Sequence, residues 1–466
     1  MYDIIIIGGG PGGYTAAIRA AQLEKKVLLI EREELGGTCL NCGCIPTKML
    51  VHQADLLRSL SSLENANISI DADSIRFDLS GAIDRKNDQI EKMRQGILAL
   101  LIGNRIEFLK GEASIKAEGK VRVRSPESDQ ILESKAIILA TGSSNIPISV
   151  PGAAPDLFLD STALLNLRDV PRQLTIIGGG VIGAEFASIY RTFGSEVTII
   201  EAQDRLLPML DSDLGKRIAV YFKKRGIKVH LSSRLVKAES VQGTASLYLE
   251  TSKGETVLQA EKILISVGRR PNLEPLDLII PAIKMNGRFL YVDENYKTTV
   301  PGLYAIGDLL GRGMLAHLAA EEGKVVVERL AGLRSKVSYH AIPSCVFSSP
   351  EIASVGLSED QAKAKGIEYR TGRFLFAANG KAQTMGETDG FIKILAGPDD
   401  TILGVHIIGP HASDLILEGT VFVEKRMKLK DVLSIVHPHP TLGEVFAEAL
   451  LDIRKESIHS IPAARR

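Results

Sequence analysis

The fold is decided near the N-terminus by a stretch that reads Ile4-Ile5-Ile6-Ile7-Gly8-Gly9-Gly10-Pro11-Gly12-Gly13. The short apolar run predicts a buried strand, and the glycines after it form a G-x-G-x-x-G pattern at Gly8, Gly10 and Gly13. A helix is predicted over residues 14–23, then a second strand that ends in Glu31. Such glycines let the backbone approach a pyrophosphate at a helix N-terminus, and the acid accepts hydrogen bonds from a ribose. The stretch therefore predicts a dinucleotide-binding unit.

The same unit occurs again in the middle of the chain. An apolar run over residues 174–177 precedes a second G-x-G-x-x-G pattern, and a helix and a strand ending in Glu201 follow it. The three glycines of this second pattern are Gly178, Gly180 and Gly183. Downstream, residues 136–142 and 262–268 also repeat one another. Two such units in one chain indicate a flavin and a nicotinamide dinucleotide.

Three of the four cysteines lie in a loop just after the first unit, which reads Gly36-Gly37-Thr38-Cys39-Leu40-Asn41-Cys42-Gly43-Cys44-Ile45-Pro46-Thr47-Lys48. Cys39 and Cys42 have the spacing of a thioredoxin-like redox pair, whereas Cys39 and Cys44 would form a dithiol facing a flavin. Zinc would need a fourth ligand, and Cys345 is remote in the sequence. A thioredoxin-like pair belongs in a small domain, not beside a dinucleotide-binding turn. We therefore favour Cys39 with Cys44 and predict no metal site.

Composition indicates an ordinary soluble globular protein. The 466 residues are 45% hydrophobic and carry a formal net charge of zero, enough for roughly three domains. No basic excess indicates nucleic acid or an anionic membrane, and no apolar run is long enough to span a bilayer. A strand begins directly after Met1, so we expect no signal or transit peptide and a cytoplasmic location. Few cysteines argue against a secreted disulfide scaffold, so a disulfide here is expected to be catalytic.

Two segments outside the glycine units also carry predictions. A long helix is expected over residues 78–101, with Ser80 as its N-cap and an apolar packing face formed by Ile83, Ile90, Met93, Ile97 and Leu101. Residues 301–308 offer a short strand ending in Asp308. That carboxylate could bond a polyhydroxyl chain such as ribitol, or it could belong to an ordinary turn at a strand end.

From Tyr339 onward the pattern becomes that of an α+β domain. Strands are predicted over residues 344–347, 390–395 and 402–407, and helices over residues 413–426 and 441–453. Within it lies His437-Pro438-His439-Pro440-Thr441-Leu442-Gly443-Glu444.

Two interpretations of Glu444 are compatible. Thr441 and Glu444 fit the S/T-x-x-E capping box, which gives Glu444 a structural role. In the functional interpretation, Glu444 orients His439 and raises its basicity. We interpret His437 as structural.

Together these motifs resemble the class I pyridine nucleotide–disulfide oxidoreductases, and among them the dihydrolipoyl dehydrogenases most closely. The resemblance covers nearly the whole chain. It rests on the cysteine loop, both glycine patterns, Ala140-Thr141-Gly142, Gly307-Asp308, Met314-Leu315-Ala316-His317 with Glu321-Glu322-Gly323, and the His439/Glu444 pair. Cys42 is a departure, because relatives usually carry an apolar or basic residue there.

The resemblance implies an α/β fold with two Rossmann-like dinucleotide-binding domains, for FAD and NAD, and a C-terminal α+β interface domain. The expected limits are 1–150 for the FAD domain, 151–270 for the NAD domain, 271–338 for a central segment completing the FAD site and 339–466 for the interface domain. It also implies a homodimer, in which the histidine base of one subunit reaches the dithiol of the other.

The resemblance also assigns residues to the site. The catalytic group is Cys39, Cys44, His439 and Glu444. The cofactor-binding group is Gly8, Gly10, Gly13, Glu31, Lys48, Thr141, Gly142, Gly178, Gly180, Gly183, Glu185, Glu201, Gly268, Gly307, Asp308, Met314, Leu315, Ala316 and His317. Lys48 and Glu185 are expected to pair beside the flavin where the nicotinamide docks. Glu201 favours NAD over NADP, because a carboxylate bonds a free 2′-hydroxyl and repels a 2′-phosphate; Arg205 is interpreted as a surface residue.

The implied activity is oxidation of protein-bound dihydrolipoamide by a Cys39–Cys44 disulfide, with hydride transfer through FAD to NAD⁺. His439 would take a thiol proton, and the resulting thiolate would attack Cys39. Cys44 would remain as a thiolate, stabilised by the N-terminus of a helix beginning near Ile45-Pro46.

The expected partner is a lipoyl-bearing protein of a 2-oxoacid dehydrogenase or glycine-cleavage complex. One rival function is a glutathione-type disulfide reductase that uses NADPH. Another is a non-catalytic flavin or NADH redox sensor. A mercuric-ion reductase is disfavoured, because no vicinal cysteine pair lies near the C-terminus.

Overall fold

The computed structural model describes residues 1–63, 67–69, 71, 75–148, 150–152, 157–241, 244–252, 254–276 and 282–461. The N-terminal third contains β1 (Tyr2–Ile7), α1 (Pro11–Gln22), β2 (Val27–Glu31), α2 (Gly37–Cys42), α3 (Cys44–Ser62), α4 (Leu79–Gly103), β3 (Glu107–Lys110), β4 (Glu112–Ala117), β5 (Lys120–Arg124), β6 (Asp129–Leu139) and β7 (Ser143–Asn145).

The middle of the chain contains β8 (Phe158–Leu159), α5 (Ser161–Leu164), β9 (Gln173–Ile177), α6 (Val181–Phe193), β10 (Glu196–Ile200), α7 (Ser212–Lys224), β11 (Lys228–His230), β12 (Ser233–Val241), β13 (Thr244–Thr251), β14 (Gly254–Ala260), β15 (Lys262–Ile265), β16 (Arg269–Pro271), β17 (Met285–Asn286), β18 (Phe289–Leu290), β19 (Leu303–Ala305) and α8 (Ala316–Leu330).

The C-terminal region contains β20 (Ser344–Val346), β21 (Glu351–Gly356), α9 (Glu359–Ala364), β22 (Arg370–Leu375), α10 (Gly380–Met385), β23 (Phe391–Ala396), β24 (Ile402–Gly409), α11 (Ala412–Glu424), α12 (Leu429–Leu433) and α13 (Glu444–Ile453).

Two parallel sheets of the same design contain the two glycine units. In the first, β1 lies between β2 and β6, and β19 pairs with the other edge of β6, giving the order β3-β2-β1-β6-β19. In the second, β9 lies between β10 and β15, giving the order β11-β10-β9-β15-β8. The central strands are apolar over most of their length because helices cover both faces of such sheets. The predicted repeat is therefore present in the fold.

An antiparallel meander accompanies each parallel sheet. Strand β5 pairs with the first half of the long strand β6 and with β4 on its other side, and β12, β13 and β14 form a separate three-stranded sheet. The short strands that follow the last parallel strands of the two glycine units, β7 and β16, pair with each other in an antiparallel arrangement. Thr141 Oγ1 donates to the Asn272 carbonyl over 2.7 Å beside this pair. Strands β7 and β16 thus form a two-stranded ribbon that connects the two parallel sheets.

The C-terminal region forms an antiparallel sheet with the order β20-β21-β24-β23-β22. Its apolar core comprises strand residues such as Ile394 and Ile407, covered by Phe422 of α11 and Phe446 of α13. The α+β prediction for this region is confirmed. Strands β21 and β22 were absent from the expectation; β22 is an edge strand with mixed polar and apolar residues.

Three local expectations were wrong. The N-cap of α4 is Asp78, and the Ser80 hydroxyl accepts a hydrogen bond from Arg168 instead. Met93, expected in the packing face of α4, is exposed, whereas Ile83, Ile90 and Leu101 are buried. The last helix begins at Glu444 rather than Thr441, because the Thr441 hydroxyl donates to the Pro438 carbonyl and does not cap the helix.

None of the helices in the described ranges combines the length and the apolar character needed to cross a bilayer.

Candidate active site

The first and third glycines of each pattern are required by the backbone conformation and by the packing of the protein, independently of any ligand. Gly8 has φ +109° and Gly178 has φ +107°, a conformation that other residues rarely adopt. A Cβ at Gly13 would lie 1.8 Å from the Gly8 carbonyl oxygen, and one at Gly183 would lie 2.0 Å from that of Gly178. These glycines therefore allow each helix to pack closely on its strand.

The middle glycines are not required in this way. Gly10 and Gly180 have φ of −71° and −74°, which any residue can adopt. A Cβ at Gly10 would have only the Gly37 Cα near it, at 3.8 Å, and one at Gly180 only the Met209 Cε, at 4.0 Å. Since neither packing nor backbone conformation calls for glycine, the open space fits a ligand that approaches the backbone, as a dinucleotide pyrophosphate does.

The two strand-end acids are held alike. Glu31 Oε2 accepts from the Gly9 amide over 2.7 Å, and its Oε1 accepts from Glu33 N over 2.8 Å. Glu201 accepts from Gly179 N and Gln203 N at 2.6 and 2.7 Å. Both carboxylates thus stand beside their glycine turns, oriented for ribose hydroxyls.

Arg205 corrects one interpretation, since it is not a free surface residue. Its guanidinium is half-buried and forms an ion pair with Asp360 at 3.2 Å. An arginine engaged in this way is poorly placed to neutralise a 2′-phosphate, so it reinforces the preference that Glu201 indicates.

A groove opens at the carboxyl ends of the strands in the first sheet. Its lining includes Gly8, Glu31, Gly111, Thr141 and Asn272. Ligands of open α/β sheets bind at this edge, so the groove fits the adenosine half of a flavin dinucleotide. Gly142 follows with φ +68° and open space where a Cβ would stand, and Gly268 ends the equivalent segment of the second unit with φ +120°.

Asp308 is fixed by a chain of hydrogen bonds. Ser143 Oγ donates to Asp308 Oδ2 over 2.5 Å, and Arg269 Nε donates to Ser143 Oγ over 2.8 Å. The same guanidinium donates to Asn145 Oδ1 over 2.7 Å. The neighbouring Gly307 amide donates to the buried Glu322 carboxylate over 2.7 Å. A carboxylate held this firmly has a fixed orientation, which suits the predicted contact with a polyhydroxyl chain.

The cysteine loop folds into two consecutive helices. Cys39 lies in α2, and Cys44 is the first residue of α3, as the predicted helix near Ile45-Pro46 implied. All four cysteines are thiols, and the Cys39 thiol donates a hydrogen bond to the sulfur of Cys44. The structure thus brings Cys39 and Cys44 together in the reduced form.

The two thiols have opposite acidities. The hydrogen bond from Cys39, followed by the charge of Lys48, lowers the pKa of Cys44 to about 7, although burial opposes the shift. The same hydrogen bond, together with burial, raises the pKa of Cys39. The N-terminus of α3 also favours negative charge on Cys44. Cys44 is therefore the thiolate of the pair and Cys39 its proton donor.

The other two cysteines are separate from this pair. The Cys42 thiol bonds to Thr162, and burial raises the pKa of this thiol. Burial also raises the pKa of Cys345, in β20, to about 11. Neither thiol is activated, which disfavours the Cys39/Cys42 pairing.

Lys48 and Glu185 form an ion pair. Lys48 Nζ donates to the two Glu185 carboxylate oxygens over 2.9 and 3.0 Å. Glu185 is buried and also accepts from Phe347 N over 3.0 Å, while the lysine ammonium lies 4.3 Å from the centre of the Phe347 ring. The pair joins α3, α6 and the C-terminal region beside Cys44.

His439 and Glu444, the other two predicted catalytic residues, form a hydrogen-bonded pair. His439 Nδ1 lies 2.8 Å from Glu444 Oε1, and Glu444 Oε2 accepts from Thr441 N over 2.9 Å. Burial opposes ionisation of Glu444, but the bonds from Thr441 N and from His439 lower its pKa. The His439 side chain is 77% exposed. Among the described residues, no hydrogen bond or ion pair connects this pair to the dithiol of the same chain.

The segment Met314-Leu315-Ala316-His317 forms the start of α8. Met314 has φ +51°, Leu315 is the N-cap and Ala316 the first helical residue. His317 Nε2 lies 3.0 Å from the Pro343 carbonyl oxygen, and burial lowers the pKa of His317. Helix α8 packs closely on α1, since a Cβ at Gly323 would lie 2.5 Å from the Gly12 carbonyl oxygen. This contact brings the segment to the first sheet.

The sequence analysis assigned no role to the residues that hold three of the predicted cofactor-binding residues in place. Arg269 and Ser143 fix Asp308, Asn272 fixes Thr141, and Glu322 fixes Gly307. Arg269 and Asn272 follow Gly268 in the sequence and lie at the expected boundary of the NAD domain near residue 270. The available signal was their polar character next to a glycine turn, which could have indicated a role in the site.

Comparison with known proteins identifies the family to which the chain belongs. The family model for pyridine nucleotide-disulphide oxidoreductases matches residues 2–323, and the model for the dimerisation domain of that family matches residues 342–450. The second match supports the predicted homodimer.

Relatives and solved structures agree in length. The chain is 39% identical to dihydrolipoyl dehydrogenase 3 of Pseudomonas aeruginosa, covering 98% of this chain and 99% of the relative. It is 41% identical to dihydrolipoyl dehydrogenase of Geobacillus stearothermophilus, covering 96% and 95% of the two chains. The HOCl-induced flavoprotein disulfide reductase RclA from Escherichia coli superposes with a TM-score of 0.83 at 28% identity, covering 96% of this chain and 99% of that one.

These findings confirm the predicted fold class, the use of FAD and NAD, and the prediction of a dihydrolipoyl dehydrogenase. On the strength of its full-length relatives and of both family matches, the chain belongs to the pyridine nucleotide–disulphide oxidoreductase family.

Proposed function

We propose that the chain oxidises protein-bound dihydrolipoamide with NAD⁺, using the catalytic and cofactor-binding residues assigned above. The observation that carries this proposal is the hydrogen-bonded pair Cys39 and Cys44, in which Cys44 begins a helix next to the Lys48–Glu185 ion pair. Dihydrolipoyl dehydrogenases from several bacteria are the relatives that support the substrate class.

The first step is a thiol–disulfide exchange at Cys39. His439, oriented by Glu444, takes a proton from one lipoyl thiol, because only a thiolate attacks a disulfide efficiently. The new S–S bond forms to Cys39 as the Cys39–Cys44 bond breaks, and Cys44 leaves as a thiolate. Its pKa of about 7 makes it a good leaving group near neutral pH.

The second lipoyl thiol completes the exchange. It attacks the lipoyl sulfur bonded to Cys39 while its proton passes to the departing Cys39 sulfur, so the lipoyl disulfide closes and Cys39 is released as a thiol. The protein dithiol then holds the two electrons that the substrate has lost. Lys48 and Glu185 keep the surroundings of Cys44 rigid and charged.

FAD would lie along residues 8–13, with Glu31 at its adenosine ribose and Asp308 at its ribityl chain. When bound, it supplies the acceptor for the electron pair of the dithiol and the hydride donor for NAD⁺. NAD would bind the second glycine unit, with Glu201 at its adenosine ribose.

The active site is proposed to span two subunits. His439 is exposed and has no contact with the dithiol of its own chain among the described residues, while a dimerisation-domain match covers its region. A partner subunit that presents its own histidine to this dithiol would account for both observations.

We further propose the predicted division of the chain at residues 150, 270 and 338. Strand β19 and helix α8, both within 271–338, return to the first sheet, which supports a role for this segment in the FAD site. The proposed partner is a lipoyl-bearing protein of a 2-oxoacid dehydrogenase or glycine-cleavage complex. A cytoplasmic location stays a prediction.

The decisive experiment is NADH formation by the purified, FAD-loaded protein given dihydrolipoamide and NAD⁺, with NADP⁺ in a parallel assay. Rapid turnover with NAD⁺ alone is expected. A yellow, FAD-loaded dimer without turnover would refute the lipoamide assignment. Reduction of other disulfides by NADH or NADPH would then be measured, because RclA is a disulfide reductase.

A further inference from the structure

One cavity in the described part of the chain lies away from the dithiol and from both glycine turns. Its volume is about 550 Å³. We call it the Arg312 cavity; its lining is Glu294, Tyr296, Arg312, Arg329, Lys336, Val337 and Tyr339. A cavity of this size can hold a small-molecule ligand.

The charge of the lining is mostly positive. Arg312, Arg329 and Lys336 contribute three cations, and Glu294 is the one carboxylate among the residues that line the cavity. No hydrogen bond or ion pair within the described residues engages the Glu294 carboxylate with any of these cations. The cavity therefore presents an excess of positive charge to whatever enters it.

The cations keep donors available. Arg329 is held by the carbonyls of Ser335 and Glu294, which leaves its Nη2 without a protein partner in the described ranges. Arg312 uses only Nη1, which donates to Tyr339 Oη over 2.6 Å and forms an ion pair with the buried Glu322 carboxylate at 3.9 Å. Lys336 Nζ is exposed and has no protein partner among the same residues. Several N–H groups of the lining residues thus have unused hydrogen-bonding capacity.

The position of the Arg312 side chain is fixed by two tyrosines and a buried glutamate. Its guanidinium lies 5.0 Å from the ring centre of Tyr339 and 5.7 Å from that of Tyr296. The Tyr339 hydroxyl donates to the fully buried carboxylate of Glu322 over 2.6 Å, and the two tyrosine hydroxyls lie 2.9 Å apart. Arg312 is therefore preorganised, which reduces the entropy that a ligand must overcome on binding.

We propose that the Arg312 cavity binds a small phosphate-bearing anion. Arginine and lysine donors converging on one space match the oxygens of a phosphate or pyrophosphate group, for which charge-assisted hydrogen bonds are strong. The rings of Tyr296 and Tyr339 and the side chain of Val337 supply an apolar wall that can contact the remainder of the ligand. This site is separate from the proposed dinucleotide sites and does not depend on the proposed activity.

The test uses the FAD-loaded protein with saturating NAD⁺, so that neither glycine turn can bind the probe. Inorganic pyrophosphate and ADP are titrated separately by calorimetry. Tighter binding of ADP than of pyrophosphate would identify a nucleotide ligand, and equal binding an inorganic one; both results support the cavity as an anion site.

Two substitutions locate the binding. Arg312→Gln and Lys336→Gln are each expected to weaken pyrophosphate binding about tenfold through loss of one charge-assisted contact. The matched controls are Arg288→Gln and Lys284→Gln, two exposed cations that lie over Phe289 and Tyr291 outside the cavity. They should leave the binding unchanged.

The Lys336 variant keeps the proposal testable if loss of Arg312 disturbs the fold, because Lys336 has no partner to lose in the described structure. Heat release absent at millimolar pyrophosphate, or affinity unchanged in both cavity variants, would overturn the proposal.

Discussion

At the dithiol, one hydrogen bond gives two chemically identical side chains different acidities and therefore different roles. Cys39 donates to Cys44, and the position of Cys44 at the first residue of α3 adds the field of the helix. The pKa of Cys44 is thereby lowered to about 7, so its thiolate persists until the pH falls through that value. Below it, the thiolate is protonated and the leaving-group advantage is lost.

Removal of Cys39 should therefore raise the pKa of Cys44. In the reduced, FAD-loaded protein, we expect thiolate absorbance to appear with a midpoint near pH 7, and at higher pH in Cys39→Ala and in Lys48→Met. Ultraviolet titration measures both. Cys42→Ser serves as the control, since that thiol bonds to Thr162; a midpoint that moved in the control but not in Cys39→Ala would contradict the assignment.

The glycines of the second pattern offer a matched pair of substitutions. Gly180→Ala should raise the KM for NAD⁺ about tenfold without lowering the thermal midpoint, because the added Cβ meets only the ligand. Gly183→Ala should instead destabilise the protein, since its Cβ would lie 2.0 Å from the Gly178 carbonyl oxygen. Steady-state kinetics and thermal unfolding of both variants distinguish the two roles. Equal loss of stability in both would show that the middle glycine serves packing.

Whether a site residue could be predicted depended on how far apart in the sequence the interacting residues lie. Cys39, Cys44, Glu31 and Glu201 could be predicted because each belongs to a short pattern whose spacing encodes its geometry. Arg269 could not, because it acts on Ser143, 126 positions away, and through it on Asp308. Only the folded chain brings these three together.

Among the elements, the ribbon formed by β7 and β16 has the clearest role in the candidate site. It carries Ser143 on one strand and Arg269 on the other, and these two residues hold Asp308. The ribbon thus transmits the position of the second unit to the proposed FAD site.

Arg269→Met should therefore weaken FAD retention. The variant leaves Ser143 without its donor, and we expect FAD to dissociate about tenfold faster during dialysis or dilution, as followed by flavin fluorescence. Arg270→Met is the matched control, because Arg270 lies in the same strand and is exposed. Equal FAD loss from both variants would show that the effect comes from the strand and not from the Arg269–Ser143 bond.

Element types were predicted better than element limits. Both strand–helix–strand units follow from apolar runs that end in glycine, which is a strong local signal. The start of α13 was predicted three residues early, because Glu444 accepts from Thr441 N while the Thr441 hydroxyl bonds to Pro438. The competing bond that decides the boundary is invisible in the capping-box pattern.

On the scale of the whole molecule, a buried charge cluster joins the second unit to the C-terminal region. Lys393 of β23 is almost fully buried and contacts Asp211, Asp213 and Glu359 at 2.5, 3.0 and 2.9 Å. These carboxylates are the one group in the described residues with the spacing of a metal site, and the lysine ammonium lies among them.

Lys393→Met should destabilise the protein by about 3–5 kcal/mol, because it leaves the buried Asp211 and its neighbour Glu359 without their cation. Asp213 then keeps only Arg373, at 3.9 Å. Thermal unfolding of the variant is compared with that of Lys365→Met, an exposed lysine with no described partner. An unchanged thermal midpoint for Lys393→Met would mean that the cluster does not join the two regions.

The shared active site can be tested by mixing subunits. Cys39→Ser and His439→Gln homodimers should each be inactive, yet a mixed dimer would contain one site with both an intact dithiol and an intact histidine. Random exchange of subunits should restore about a quarter of the wild-type rate, since half the dimers are mixed and each has one working site. Activity that stays at the level of the parents after verified exchange would place both groups in one subunit.

The β7–β16 ribbon also bears on whether the two repeated units are separable modules. A duplicated unit could be produced alone only if all of its strands and all of its binding residues lay within its own segment of the chain. Here β16 of the second copy pairs with β7 of the first, and β19 returns to the first sheet only after the second copy is complete. A fragment ending before β8 would lack the edge strand β19, Asp308 and the arginine that fixes Asp308 through Ser143. The duplication has become interlocked, so truncation of either copy removes part of the other.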